Sequence, residues 1–95
     1  MSDKKDIVFA KTLTIVNKRG LHARAAAKFV KTMESFSCSI NVTRDNDTVS
    51  GRSIMGLMML AASKGAIIQI KATGIDGEKA IQRITELVDN KFHEE

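Results

Sequence analysis

The stretch Asn17 to Phe29, NKRGLHARAAAKF, contains one of the two histidines of the chain. His22 stands where an alternating apolar pattern has ended and a helical one has yet to close its first hydrogen bonds. At a helix start several backbone N–H groups are unpaired, and the helix dipole places roughly half a positive charge there. That environment favours a bound anion, and a neutral imidazole within it is a nucleophile. Gly20 permits a tight turn ahead of the histidine. Arg24, two residues beyond it, can fork two parallel hydrogen bonds onto phosphate oxygens. These residues fit a histidine that accepts a phosphoryl group, but G-x-H-x-R is a short pattern, and the same local evidence fits a histidine that only caps a helix.

Ser53 is the second candidate. It follows Arg52 and precedes an apolar helical run, so a phosphate there would meet unpaired N–H groups and a cationic neighbour. A plain N-cap serine looks the same. Downstream, IMGLMML holds more apolar residues than a two-turn helix can bury. Leu57 and Leu60 suit the core, which leaves some of Ile54, Met55, Met58 and Met59 either as an adaptable docking surface or as ordinary filling. Other chemistry finds no support. His22, His93 and Cys38 lack metal-ligand spacing, no carboxylate pair is placed for acid and base work, and neither Gly-rich nucleotide signature occurs. No metal and no cofactor is therefore expected.

The elements that must hold these residues follow from periodicity. From Ile7 to Asn17 the pattern alternates as in a strand, with Leu13 and Ile15 on one face and Thr12 and Thr14 on the other. NKRG is a turn. From Ala23 the apolar residues Ala26, Phe29, Val30 and Met33 fall on one helical stripe, with Arg24, Lys28 and Lys31 opposite. Cys38 to Thr43 alternates again, RDND supplies a hairpin turn, and Thr48 to Ser50 makes a short third strand. Ser53 caps a short helix that Gly65 can stop. AIIQIKAT is a fourth strand, and a last helix from Gly77 follows Asp76 as its cap, with Ala80, Ile81, Ile84, Leu87, Val88 and Phe92 facing inward. The order β-α-β-β-α-β-α, with half-apolar strands and one-sided helices, implies a two-layer α/β domain.

A chain of 95 residues can bury one modest core, so a single domain spanning residues 1–95 is expected. MSDKKDIVFAK lacks the apolar block of a secretory signal and no run is long enough to span a bilayer, which points to a cytoplasmic location and no membrane partner. Cys38, the single cysteine, shares a strand face with Ile40 and Val42 and reads as core rather than as a reactive thiol. The net charge is +4, and between Ile7 and Met33 there are six Lys or Arg and no Asp or Glu. That window suits an acidic protein, a nucleic acid or an anionic ligand. With four Phe and neither Tyr nor Trp, stacking on single-stranded bases is poorly served.

GLHARAA, followed about thirty residues later by SGRSIMGLMMLAASKG, resembles the HPr family, the histidine phosphocarriers of the bacterial phosphoenolpyruvate-dependent phosphotransferase system. The resemblance spans nearly the whole chain and favours the phosphate-carrying reading of His22. It implies an open-faced sandwich with four antiparallel strands in the order 1-4-2-3 under three helices. It also implies that His22 is phosphorylated at Nδ1 by Enzyme I and passes the group to EIIA-type proteins, with Arg24 stabilising the phosphate and Asn17 close to the histidine. Ser53 matches the serine modified by HPr kinase/phosphorylase. Ile54, Met55 and Met58, with Arg24, Ala27 and Lys28 of the first helix, match the surface that docks partners; a monomer is expected. Three departures stand out. Ala25 replaces a common proline, which together with LMMLAASKG is closer to the nitrogen-related regulatory branch. Gly51 stands where a larger residue is common and is expected to loosen the edge of the third strand. The tail KFHEE differs, and no role carries over to it. A phosphate-independent regulatory protein of the same fold and a small basic nucleic-acid-binding domain are the alternatives.

Overall fold

In the computed structural model residues 7–94 are described; residues 1–6, on which part of the reading of the amino terminus rests, lie outside them. Alternation in the sequence becomes sheet. Strands β1 (Val8–Thr14), β2 (Ser39–Arg44), β3 (Asp47–Ser50) and β4 (Ile67–Thr73) form one sheet in the order β1-β4-β2-β3. All three pairings are antiparallel. Leu13, Ile40, Val42, Ile68, Ile70 and Ala72 are buried on one face, whereas Thr12, Asn41, Gln69 and Lys71 face outward. Period two puts every second side chain on one face, so one layer of helices suffices to cover the apolar half.

That layer consists of α1 (Ala23–Met33), α2 (Ile54–Met59) and α3 (Gly77–Asp89), followed by a turn at Lys91–His93. Helix α1 buries Ala25, Ala26, Phe29 and Met33, and α3 buries Ala80, Ile81, Ile84, Leu87 and Val88. The anticipated stripe of α1 is thus rotated slightly: Val30 is half-buried and Ala25 is fully enclosed. Alanine at that position lets the first turn of α1 approach the core closely. Cys38 lies one residue ahead of β2 and packs against the core; burial, chiefly, pushes its thiol above the ordinary range.

Four local expectations need correction. Gly65 does not stop α2, which ends at Met59 with Ala61 turned left-handed at φ 51°; Gly65 instead lies in the turn into β4, its N–H donating to Ile15 O at 2.7 Å. Asp76 precedes α3 but makes no side-chain cap bond; its Oδ2 accepts from the Ser37 N–H at 2.7 Å and ties the start of α3 to the segment before β2. Gly51 does not loosen the sheet edge. It is buried, and an added Cβ would come within 2.6 Å of Ile40 Cγ2 and 3.0 Å of Phe29 Cε1, so the core fills the space that a larger residue would need. Phe92 does face inward, fully buried, but from the turn after α3 rather than from the helix itself.

Candidate functional site

His22 reaches its place because the loop between β1 and α1 is pinned from three sides. Gly20 sits at φ 68° with its Cα against Ala62, where an added Cβ would lie 2.4 Å from a carbonyl oxygen. Only glycine satisfies both the positive φ and the close approach. Leu21 is buried and its N–H donates to Ala62 O at 2.8 Å, while the Gly20 N–H donates to Asn17 O at 3.2 Å. The chain then turns extended at His22 (φ −81°, ψ −179°) and enters α1, whose first bond runs from the Ala26 N–H to His22 O at 2.8 Å.

His22 is therefore the N-cap of α1. Its Nδ1 accepts from the Arg24 N–H at 3.3 Å, so the ring lies over the start of the helix with Nδ1 toward the backbone donors. The imidazole is partly open to solvent, with a side-chain exposure of 23%. Beside it is a cavity of about 420 Å³ lined by Lys18, Arg19, Arg24, Lys28, His93 and Glu94. Arg24 is exposed, and among the described residues its guanidinium makes no side-chain hydrogen bond or ion pair. Four cations around a helix start make a strongly anion-favouring place.

Asn17 is fully buried beneath this site. Its Nδ2 donates to Gly20 O at 2.8 Å and to Glu94 Oε1 at 2.9 Å, and the other carboxylate oxygen of Glu94 meets Nε2 of His22. Burial works against the charge on Glu94, but the hydrogen bonds from Asn17 and His22 and the nearby charge of Lys28 outweigh it, holding the carboxyl below its usual range. Glu94 is the residue that sequence reasoning missed. It is 72 residues from His22 in the chain and carries no signal beyond being acidic in a tail. Lys28 also does something its sequence position does not suggest, since its Nζ donates to Phe92 O at 2.6 Å and anchors that tail to α1.

Ser53 caps α2, its Oγ accepting from the Gly56 N–H at 2.9 Å. Arg52, however, is turned away from it. Its guanidinium donates to Met33 O, Phe36 O and Cys38 O at 3.0, 2.7 and 2.8 Å, covering carbonyls at the end of α1 and in the segment after it. Ile54, Met55, Met58 and Met59 are exposed, at 42, 74, 42 and 77%, and line an open cleft of about 600 Å³. Leu57 and Leu60 go to the core as the spacing requires. Of the remaining anticipated docking residues, Ala27 and Lys28 are half-buried on α1, and α1 packs against α2.

Comparison with known proteins gives one family. The family model for the HPr component phosphorylation site of the phosphotransferase system matches residues 9–90. The phosphocarrier protein HPr of Neisseria meningitidis serogroup A is 45% identical over 83 residues, covering 87% of this chain and 93% of that protein. The phosphocarrier protein HPr of Pseudomonas putida is 46% identical over 86 residues, covering 90% and 96%. Among solved structures, HPr-C-His from Thermoanaerobacter tengcongensis superposes with a TM-score of 0.87 at 46% identity, over 92% of this chain and 98% of that one. Crh, the catabolite repression HPr of Bacillus subtilis, in the crystal form described as a swapped dimer, gives 0.71 at 34% identity over 83% and 91%. The strand order 1-4-2-3, read from the resemblance, is the order found. Agreement of sequence and shape along most of the length leads to one conclusion: the chain belongs to the HPr family, the phosphocarriers of the phosphotransferase system.

Proposed function

We infer that His22 carries the phosphoryl group, taking it from Enzyme I at Nδ1 and giving it to a histidine of an EIIA-type protein. The observation that supports this most is the position of Nδ1 at the head of α1, beside a cavity lined by Lys18, Arg19, Arg24 and Lys28. Transfer between two imidazoles asks little covalent chemistry of the carrier. It needs the two rings in line and the phosphate charge held, which backbone N–H groups and nearby cations supply. Arg24 is the cation suited to that role, since it lies within the first turn and no described side chain holds it. Asn17 has a supporting role through the loop it fixes.

In this reading the chain acts in the cytoplasm as a single domain and a monomer, and its partners dock on Ile54, Met55 and Met58 together with Arg24, Ala27 and Lys28. An HPr kinase/phosphorylase modifies Ser53 where the host has one. Because Arg52 is engaged with the carbonyls after α1, a phosphate on Ser53 would act by adding charge beside the apolar cleft rather than by pairing with Arg52. A phosphate mimic at Ser53 is then expected to weaken Enzyme I docking by titration calorimetry.

The test is intact mass after incubation with Enzyme I and phosphoenolpyruvate. One phosphoryl group that mild acid removes and His22→Ala abolishes is the expected result. Arg24→Ala should charge more slowly with an unchanged melting temperature. No added mass, with an Enzyme I shown to charge another carrier, removes the reading. EIIA-type acceptors from the sugar and the nitrogen-related branches, offered side by side, separate those two routes.

A further inference from the structure

Helix α2 gives few of its side chains to the core. Of Ile54–Met59 only Leu57 is buried, and Met55 and Met59 are the two most exposed large apolar side chains among the described residues, at 74 and 77%. They stand one helical turn apart, with Met58 on the same side of the helix. The open cleft here is lined by Ile54, Met55, Met58 and Met59, so three of its four walls are thioethers. Nothing about burial asks for sulfur at these places. Leucine has a similar helix propensity and volume and covers apolar surface as well. What methionine adds is a flexible, polarisable side chain whose sulfur an oxidant can reach.

The other sulfurs among the described residues are placed differently. Met33 is fully buried in the last turn of α1 and closed to solvent. Cys38 is half-buried ahead of β2 and does not line the cleft. Burial, chiefly, pushes its thiol above the ordinary range, which disfavours the thiolate that attacks an oxidant. Among the described methionines, exposure therefore confines oxidation to the cleft.

We propose that Met55, Met58 and Met59 form an oxidation site that closes the cleft of α2: a hydroperoxide converts their thioethers to sulfoxides, and partner docking is lost until they are reduced. This rests on partners docking at Ile54, Met55 and Met58. The hydroperoxide is the only co-reactant. A sulfur lone pair attacks the terminal oxygen of the peroxide, and the S–O bond forms as the O–O bond breaks. The departing oxygen takes the proton of the transferred one and leaves as water or an alcohol. Sulfur gives up two electrons and the peroxide gains them. A dithiol reverses the step, supplying two electrons and two protons as it becomes a disulfide, and the oxygen leaves as water. A sulfoxide is polar and a strong hydrogen-bond acceptor, so a partner covering the cleft would strip water from its oxygen without offering a donor. The core is untouched, because Leu57 and Leu60 hold α2 to it without sulfur.

Dilute hydrogen peroxide on the full chain tests this, in a Cys38→Ser background so that only thioethers react. The readouts are peptide mapping by mass, affinity for Enzyme I by titration calorimetry, and the melting temperature. Met55 and Met59 should each gain one oxygen while Met33 gains none, with the melting temperature unchanged. Docking should weaken by about tenfold, as one polar group buried without a partner gives, and a methionine sulfoxide reductase should restore it. The triple variant Met55→Leu, Met58→Leu and Met59→Leu, whatever its starting affinity, should not respond to peroxide. Unmodified Met55 and Met59, full docking once both are oxidised, or a triple variant that peroxide weakens as much as its parent overturns the proposal. So does a loss of docking that comes with a loss of the fold. Met55→Lys without peroxide separates the two claims. If it docks as tightly as its parent, the docking reading has failed and the proposal with it; if it docks weakly while the oxidised protein docks fully, the proposal alone is removed.

Discussion

At the scale of single residues, Glu94 ionises against its own burial because Asn17 and His22 both point donors at it. A carboxylate whose pKa is lower in the folded chain than in the unfolded one stabilises the fold fully above the unfolded value, about 4.3, and loses that effect as pH falls through the folded value. The contact to Asn17 should therefore survive at neutral pH and be released only in acid, below the ordinary carboxylate range. Among the described residues, the other charged and titratable groups facing the carboxylate or its cavity are Lys18, Arg19, Arg24 and Lys28 and the imidazoles of His22 and His93. The side-chain amide resonance of Asn17, followed against pH, reports the release; a shift complete at or above the ordinary carboxylate range would show that Glu94 is not held as described.

At the scale of elements, the end of α1 and the start of α2 are joined by one side chain. Helix ends leave carbonyls short of partners, and the last residue of α1 and the segment after it turn three carbonyls toward Arg52, of which that of Met33 also accepts from the Phe36 N–H. Removing the guanidinium takes their donor from the carbonyls of Phe36 and Cys38 and loosens the link from α1 to the β3–α2 corner. Arg52→Ala is expected to cost about 1–2 kcal/mol in urea unfolding, near the value of charge-assisted hydrogen bonds at a partly open site. A cost below about 0.5 kcal/mol, the ordinary size for a surface substitution, would mean the carbonyls are served by water instead. The residue types alone suggest a different role for Arg52, since a cation beside a serine reads as a phosphate partner. Only the approach of the two elements sends it to α1.

At the scale of the whole molecule, the chain closes its core with its tail. Phe92 is fully buried beyond the end of α3, so the last turn completes the interior and at the same moment sets Glu94 beside His22. Core and site are coupled there. Phe92→Ala should cost about 3–5 kcal/mol, the range for removing a buried phenyl ring, and should also release Glu94 from Asn17. A loss under about 1 kcal/mol in denaturant unfolding would show that the tail rests on the core without completing it.

Most of the secondary structure was legible in the residues, because alternation and the 3.6-residue period report directly which side chains must leave water. The strands, the three helices, the capping serine at Ser53 and the placing of His22 at the head of α1 all follow from such local patterns. The strand order came from the resemblance rather than from any period. What escaped were the contacts between residues far apart in sequence: the engagement of Arg52 with α1, the bond from Asp76 to Ser37, the fit of Gly51 against Ile40 and Phe29, and above all the carboxylate of Glu94 on His22. Periodicity fixes which face of an element turns inward but not which distant atom it will meet. The sequence by itself therefore determined the kinds of element and the placing of His22 at the start of a helix. The tertiary structure alone decided what each nitrogen of its ring meets, because the carboxylate at Nε2 arrives from the opposite end of the chain.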